Sequence, residues 1–252
     1  NDNIVFKGNN ESYFNFNGEQ TSSNISSGNE DYIAKVTKSG NLVWRQVLGG
    51  RTLYDIFYDC YTFDIDTDNS IVLTTSQITA PVPFPNATLF IPNTNYRGLL
   101  IKIDENRNYL WHASMDDEDY SQSHFPLTVS INSDHTINWT TQGQGSHYIY
   151  DKNENREEIR GWVHNYSYPS KAFSFLFKFT TGGKLIYNKY KLTDHHIARA
   201  DKTKDKLYYA GRMPGPDQNP DQNIIDPPNF YQGDIRIGET FLQKLDKCYS
   251  GT

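Results

Sequence analysis

Methionine and cysteine are nearly absent from this 252-residue chain, which has two of each. Two cysteines exclude a disulfide scaffold, and a chain of this length can bury a core without one. Cys60 and Cys248 leave two readings open, one long-range bridge or two separate thiols, because sequence separation says nothing about Cα distance. No stretch reaches the ~20 apolar residues of a membrane-spanning helix, so no helical membrane insertion is expected. No Lys/Arg run is present, and 24 basic residues against 30 acidic ones give a net charge of -6. Nothing there neutralises a phosphate backbone, which argues against a nucleic-acid partner. The chain opens at Asn1 without a leader, and the simplest expectation is a processed product whose targeting segment has been removed.

Catalytic signatures are missing too. No nucleophile elbow, Walker loop or dinucleotide fingerprint occurs, and Gly49-Gly50 and Gly182-Gly183 read as turn glycines. Asp134 and Trp139 stand as in a sialidase Asp-box, but the Ser, Gly and Thr positions of that box are Asn132, Thr136 and Asn138. Glycoside chemistry needs two carboxylates within roughly 5–10 Å, and no pair can be nominated from sequence.

Aromatic residues are abundant, with 18 Tyr and 14 Phe. Together with frequent Asn and Thr they favour strands and polar turns. The strands recur. Tyr32-Ile33-Ala34-Lys35-Val36, Leu99-Leu100-Ile101-Lys102-Ile103, Phe175-Leu176-Phe177-Lys178-Phe179 and Phe241-Leu242-Gln243-Lys244-Leu245 each carry Lys in fourth position. In three of them an aromatic follows nine residues after the Lys, at Trp44, Trp111 and Tyr187, across a polar turn. That spacing fits a strand, a tight turn and a second strand. A second set begins Asn3-Ile4-Val5-Phe6, Ser70-Ile71-Val72-Leu73, Thr136-Ile137-Asn138-Trp139 and Lys206-Leu207-Tyr208-Tyr209. Three of these follow another strand across a short turn: Phe63–Ile65, Thr128–Ile131 and Ile197–Ala200. With the four strands of a module lettered A to D, the chain reads B-C-D, A-B-C-D, A-B-C-D, A-B-C. Successive lysines stand 67, 76 and 66 residues apart. A four-stranded antiparallel unit repeated in this way predicts an all-β, β-propeller-like fold of about three and a half blades, with modules near 1–48, 49–114, 115–190 and 191–252. A lysine at the same place in each module reads as structural, its stem covering apolar surface.

Tyr32 to Val36, Gly40-Asn41-Leu42-Val43-Trp44 and Leu48-Gly49-Gly50 resemble the bacterial β-propeller repeat family abbreviated SBBP. Asp64 to Thr75 matches its later part loosely, the third and fourth modules lose L-G-G, and the period here is longer. The resemblance implies a fold, not an activity. Strand A of the first module and strand D of the last are not found, so the expectation is a segment of a longer protein or a strand from a partner, with a closed four-blade ring as the alternative.

In such a module the A–B and C–D turns share one face and the B–C connections the other. The B–C connections are long, roughly 9–31, 76–98, 141–174 and 212–240, as functional loops often are. They carry the candidate binding residues Tyr13, Phe16, Phe84, Phe90, Trp162, Tyr166, Tyr168, Phe230 and Tyr231. These aromatics either form a contact face for protein or glycan or anchor each loop onto the sheets. Prolines cluster in the second and fourth loops, from Pro81 to Pro92 and from Pro214 to Pro228, and lower the cost of ordering them. Glycosylation sequons at Asn10, Asn24, Asn86 and Asn165 lie in these loops, while that at Asn138 falls in a strand and is a poor acceptor.

Asp64, Asp66 and Asp68 alternate as at the start of a calcium loop. The sixth position is Asn69 rather than Gly and the twelfth Thr75 rather than Glu, and the same residues make an ordinary hairpin turn. No other cofactor is expected. Asp116-Asp117-Glu118-Asp119, with His124, and His195-His196 fall in D–A connections; adjacent histidines in extended chain point opposite ways, so a zinc site is not expected.

The expected function is a non-catalytic surface or extracellular module, secreted or on a cell or virion surface, binding protein or glycan through its long-loop face. One alternative is a glycan-active enzyme with its site at the central funnel. The other is an architectural subunit of a filament or viral particle, joined to neighbouring copies by edge strands.

Overall fold

Five-residue turns of one design organise the chain. In the computed structural model the backbone NH of the first turn residue donates to the carbonyl of the fifth, and the NH of the fourth donates back to the carbonyl of the first. This pattern closes Thr37–Asn41, Asp66–Ser70, Asp104–Asn108, Asn132–Thr136 and Thr180–Lys184. The fourth residue takes positive φ: Gly40, Asn69, Arg107, His135 and Gly183. That is a type I turn followed by a left-handed residue, which suits Gly best and Asn or His next. First-position side chains lock the turn. Thr37 Oγ1 accepts from Asn41 NH, Asp104 Oδ1 from Asn106 and Asn108 NH, and Thr180 Oγ1 from Lys184 NH. At Gly183 a Cβ would lie 2.7 Å from Trp111 Cδ2, so glycine also permits that indole's approach.

The structure describes the backbone of residues 3–10, 13–16, 19–22, 30–50, 62–76, 81–89, 96–117, 125–143, 147–153, 155–159, 173–192, 194–201, 206–212, 235–237 and 240–246. Side chains are described within 3–8, 32–48, 62–75, 81–89, 98–115, 128–141, 148–153, 155 and 175–186. Among these residues the fold is all-β, with antiparallel pairing throughout and no helix.

Sheet 1 has the order β1(Ile4–Asn10), β4(Glu30–Val36), β5(Leu42–Gly50). Sheet 2 contains β6(Phe63–Ile65), β7(Ile71–Ser76), β10(Tyr96–Ile103) and β11(Tyr109–Asp117), extended by β14(His147–Tyr150) and β15(Arg156–Ile159). Sheet 3 runs β12(Phe125–Ile131), β13(Ile137–Gly143), β16(Phe173–Phe179), β17(Leu185–Leu192). Sheet 4 runs β18(Asp194–Asp201), β19(Lys206–Arg212), β21(Thr240–Asp246), β20(Ile235–Ile237). Two hairpins stand apart, β2(Tyr13–Phe16) with β3(Glu19–Ser22) and β8(Val82–Phe84) with β9(Ala87–Leu89).

Three placements differ from expectation. The long B–C connections are not bare loops, since each carries at least one strand: β2–β3, β8–β9, β14–β15 and β20. His195 and His196 belong to strand β18 rather than to a connection, and Asp116 and Asp117 belong to β11, where β14 pairs with them. β20 lies on the outer side of β21, the position reserved for the fourth strand.

Sheets stack through alternate residues, as the period of two in a strand requires. Leu99, Ile101 and Ile103 on one side of sheet 2 pack with Ile33 and Leu48 of sheet 1. Val72, Leu100, Ala113 and Met115 on the other side pack with Val129, Trp139, Phe175, Phe177 and Phe179 of sheet 3. β12 lies against β6, β7 and β10, and β18 lies against β12, β13 and β16, so sheets 3 and 4 each place their first strand over the sheet before.

Candidate binding face

Hydrogen bonds between turns fix how the sheets align. Lys35 Nζ and Trp44 Nε1 of sheet 1 both donate to the carbonyl of Glu105, in the turn between β10 and β11, at 3.3 and 3.0 Å. One sheet on, Lys102 Nζ and Trp111 Nε1 both donate to the carbonyl of Thr181, in the turn between β16 and β17, at 3.4 and 3.1 Å. Glu105 and Thr181 stand at the same place, three residues after the repeated lysine. The lysine and the aromatic nine residues later therefore form a clamp on the next sheet's turn. Arg107 strengthens the first by donating to Arg45 O at 2.7 Å, and Thr181 Oγ1 the second by accepting from Lys102 at 2.8 Å.

Asp66 makes the corresponding link between A–B turns. Its buried carboxylate meets His135 Nδ1 at 2.7 Å and Lys102 Nζ at 3.8 Å. Below the turn, Thr62 Oγ1 and Asp64 Oδ2 accept from the amides of Val129 and Ile131 on β12. Short turns of sheets 1, 2 and 3 thus meet short turns, and the long B–C connections of these sheets leave from the opposite end.

The three aspartates with calcium-loop spacing sit on the turn end, engaged by protein donors. Asp64 also accepts from Ile65 NH, Asp66 from Thr67 NH and Asp68 from Ser70 NH. At Asp68 burial raises the carboxyl pKa, but the Ser70 hydrogen bonds and the charge of Lys102 outweigh it and hold the group below the ordinary value. Among the described residues no group of three or more His, Cys, Asp or Glu is arranged to hold a metal.

Among the long connections the β8–β9 hairpin is the best-defined, and its tip folds back to the turn end, beside Tyr109 at the close of the Asp104–Asn108 turn. Val82, Phe84 and Leu89 are buried in the core between sheets 1 and 2, and the Phe84 ring stands 5.7 Å from that of Tyr109. Phe84 is therefore an anchor, not part of an exposed aromatic face. Gln46 Nε2 donates to Pro83 O and Val47 O, tying the hairpin to sheet 1. Asn86, at the exposed tip, pairs its carboxamide with the backbone of Tyr109, donating to its carbonyl at 2.9 Å and accepting from its NH at 2.8 Å. That sequon residue thus clasps the hairpin to β11. Burial raises the Tyr109 phenol pKa, opposed by a hydrogen bond with the His112 backbone, and His112 Nδ1 lies 2.7 Å from the hydroxyl. Pro81, Pro83, Pro85, Asn86 and Thr88 remain exposed on this hairpin.

The β14–β15 hairpin crosses to the preceding sheet and extends β11. Its turn is braced by Asp151, which accepts from Asn153 and Asn155 NH, and Lys152 NH donates to Gly183 O. Tyr13 and Phe16 lie on β2, opposite Ser22 and Glu19. Asn10 is the last residue of β1, paired with Glu30, and not a loop residue. Asn138 is buried and donates to Asn132 Oδ1, as its strand position requires. Phe90, Trp162, Tyr166, Tyr168, Phe230, Tyr231, Asn24, Asn165, Cys60, Cys248 and His124 lie outside the described residues. Sequence reasoning passed over Gln46, which has no motif around it. It also took Asn86 only as a sequon, because the backbone partner is 23 residues away.

No family model matches the sequence, and no curated protein sequence matches it.

Proposed function

We propose that this chain is a β-propeller-type module of the kind that the Tyr32–Gly50 segment resembles, acting without catalysis as a binding module for protein or glycan. The observation that carries the reading is the contrast between its short turns and its long connections. The short turns are consumed by contacts between sheets, whereas the long connections start from the opposite end and carry strands of their own, two of them folding back beside the turns. The β8–β9 hairpin shows how such a connection is held: an apolar root in the core, a side-chain clasp on a neighbouring strand, and a proline-lined tip left exposed. A platform of preordered hairpins lowers the ordering cost that binding would otherwise carry. No cofactor enters the reading, and it fits a secreted, cell-surface or virion-surface setting.

The test is an array of neutral, fucosylated and sialylated oligosaccharides and a panel of extracellular matrix proteins, probed with the labelled chain. Binding is expected, and it is expected to fall at least about tenfold, or roughly 1.4 kcal/mol, in the Trp162→Ala/Tyr231→Ala variant with its melting temperature unchanged. Binding that survives the double substitution removes the long-connection face from the account. Release of reducing sugar from the oligosaccharides would replace it with the glycan-active enzyme reading.

A further inference from the structure

In β10 and β16 the first, third and fifth residues of the repeated segment face the sheet before. Leu99, Ile101 and Ile103 pack on sheet 1, and Phe175, Phe177 and Phe179 on sheet 2, all at 0% exposure. Their counterparts in β4 are Tyr32, Ala34 and Val36. Ile33 packs with sheet 2 and Lys35 donates to its turn, so these three alternate residues point away from it. They are buried all the same, at 3%, 0% and 6% exposure. Neighbours within the sheet do not explain that burial. Phe6 stands edge-on to the Tyr32 ring, with centroids 6.2 Å apart, and the Arg45 guanidinium lies 5.1 Å from its centre. Such contacts screen a ring from the side. A tyrosine rises higher above a sheet than alanine or valine, and it meets solvent first unless a second layer lies over it. The cover stops short of Ile4, opposite Val36, which is 53% exposed.

We infer that sheet 4 lies over this face of sheet 1, so that the four sheets close into a ring. Sheet 2 is flanked by sheets 1 and 3, and sheet 3 by sheets 2 and 4, so both faces of each are taken. Sheet 4 has one face on sheet 3, and its other face is the match for sheet 1. In β21, Leu242 and Lys244 occupy the register places that Ile33 and Lys35 hold in β4, and those are residues by which sheet 1 meets sheet 2. Four sheets lie within the range that closes around one axis. Closure brings the start of the connection that carries β20 beside the start of the one that carries β2 and β3. The long connections then leave from a circle rather than an arc. Closure rests on packing between sheets, whatever those connections bind.

The experiment orders the sheets in the full 252-residue chain by pulsed electron paramagnetic resonance. Cys60 and Cys248 are changed to Ser, and spin labels are attached in pairs at Ser39→Cys, Asn106→Cys and Asp246→Cys, which mark sheets 1, 2 and 4. In a ring, sheets 1 and 4 are neighbours and sheets 2 and 4 stand across the axis. The Ser39–Asp246 distance is therefore expected to be the shorter of the two to Asp246. An open row reverses that order and makes it the longer by ~10 Å, one sheet spacing. A Ser39–Asp246 distance equal to or longer than Asn106–Asp246 overturns closure. In a second arm, Ala34→Arg places a charge in the interface. Amide exchange is expected to quicken at least about tenfold in both β4 and β21 while β16 keeps its protection. Exchange that quickens in β4 and not in β21 puts another segment over the face and overturns the assignment to sheet 4.

Discussion

The two faces of sheet 3 are made by alternate residues of the same strands, and they differ in kind. Val129, Ile131, Ile137, Trp139, Phe175, Phe177 and Phe179 point to sheet 2 and join its Val72, Leu100, Trp111 and Met115 in one apolar core. The intervening residues, Thr128, Ser130, Asn138, Thr140, Leu176 and Lys178, form the side over which β18 of sheet 4 is laid. Sheet 2 meets sheet 3 with Asp64, Val72 and Lys102 at the positions of Ser130, Asn138 and Lys178. There, Asp64 takes the Ile131 amide and Lys102 reaches Asp66 and Thr181. On sheet 3 the Ser130 hydroxyl is buried and has no hydrogen-bond partner among the described residues. Sheet 4 brings Ala198 and Ala200 to the register positions of Val129 and Ile131. Sheet 3 thus presents an apolar, clamped face to sheet 2 and a largely polar set of residues on its other side.

Substitutions at matched positions break this comparison most strongly at the apolar face. Trp139→Ala is expected to cost about 3–5 kcal/mol in denaturant unfolding, because a fully buried side chain leaves a cavity among three phenylalanines. Its neighbour Asn138→Ala, on the polar face, is expected to cost about 1 kcal/mol, the value of a hydrogen bond to Asn132. Equal losses would mean that the two faces are packed alike.

The repeated lysines sharpen the contrast. Lys102→Met removes the cation beside the buried Asp66 carboxylate and the clamp on Thr181, at an expected cost of about 3 kcal/mol. Lys178→Met, at the same place one sheet later, is expected to change unfolding by less than about 0.5 kcal/mol. A large loss from Lys178 would show a third clamp, on sheet 4. A last matched pair has effects of opposite sign. Asp64→Ala is expected to cost about 2 kcal/mol through two charge-assisted bonds. Ser130→Ala, which deletes a buried hydroxyl with no partner among the described residues, is expected to stabilise by up to about 1 kcal/mol. Calorimetric melting of the two variants checks the sign.

The strand pairs were legible in the residues because a tight turn fixes a short offset: Lys35 with Trp44, Lys102 with Trp111 and Lys178 with Tyr187 lie directly across their hairpins. The clamp itself was not legible, since its acceptors are backbone carbonyls, which sequence does not distinguish. Strands in the long connections were hidden for another reason. Val82-Pro83-Phe84 has a proline in its centre, and His147–Tyr150 is four residues that pair with a sheet other than their neighbours'. Short strands of this kind take their structure from tertiary partners, not from propensity. The aromatic count misled at Phe84, because burial and exposure ask for the same residue.

The central claim is that consecutive sheets stack turn against turn. Pulsed electron paramagnetic resonance tests it with spin labels at the matched turn positions Ser39, Asn106 and Gly182, each replaced by Cys after Cys60 and Cys248 are changed to Ser. The Ser39–Asn106 and Asn106–Gly182 distances are expected to be narrow and alike, each about one sheet spacing of ~10 Å plus the label arms. Distances that differ by more than about one such spacing, or a broad distribution for either pair, would contradict the stacking.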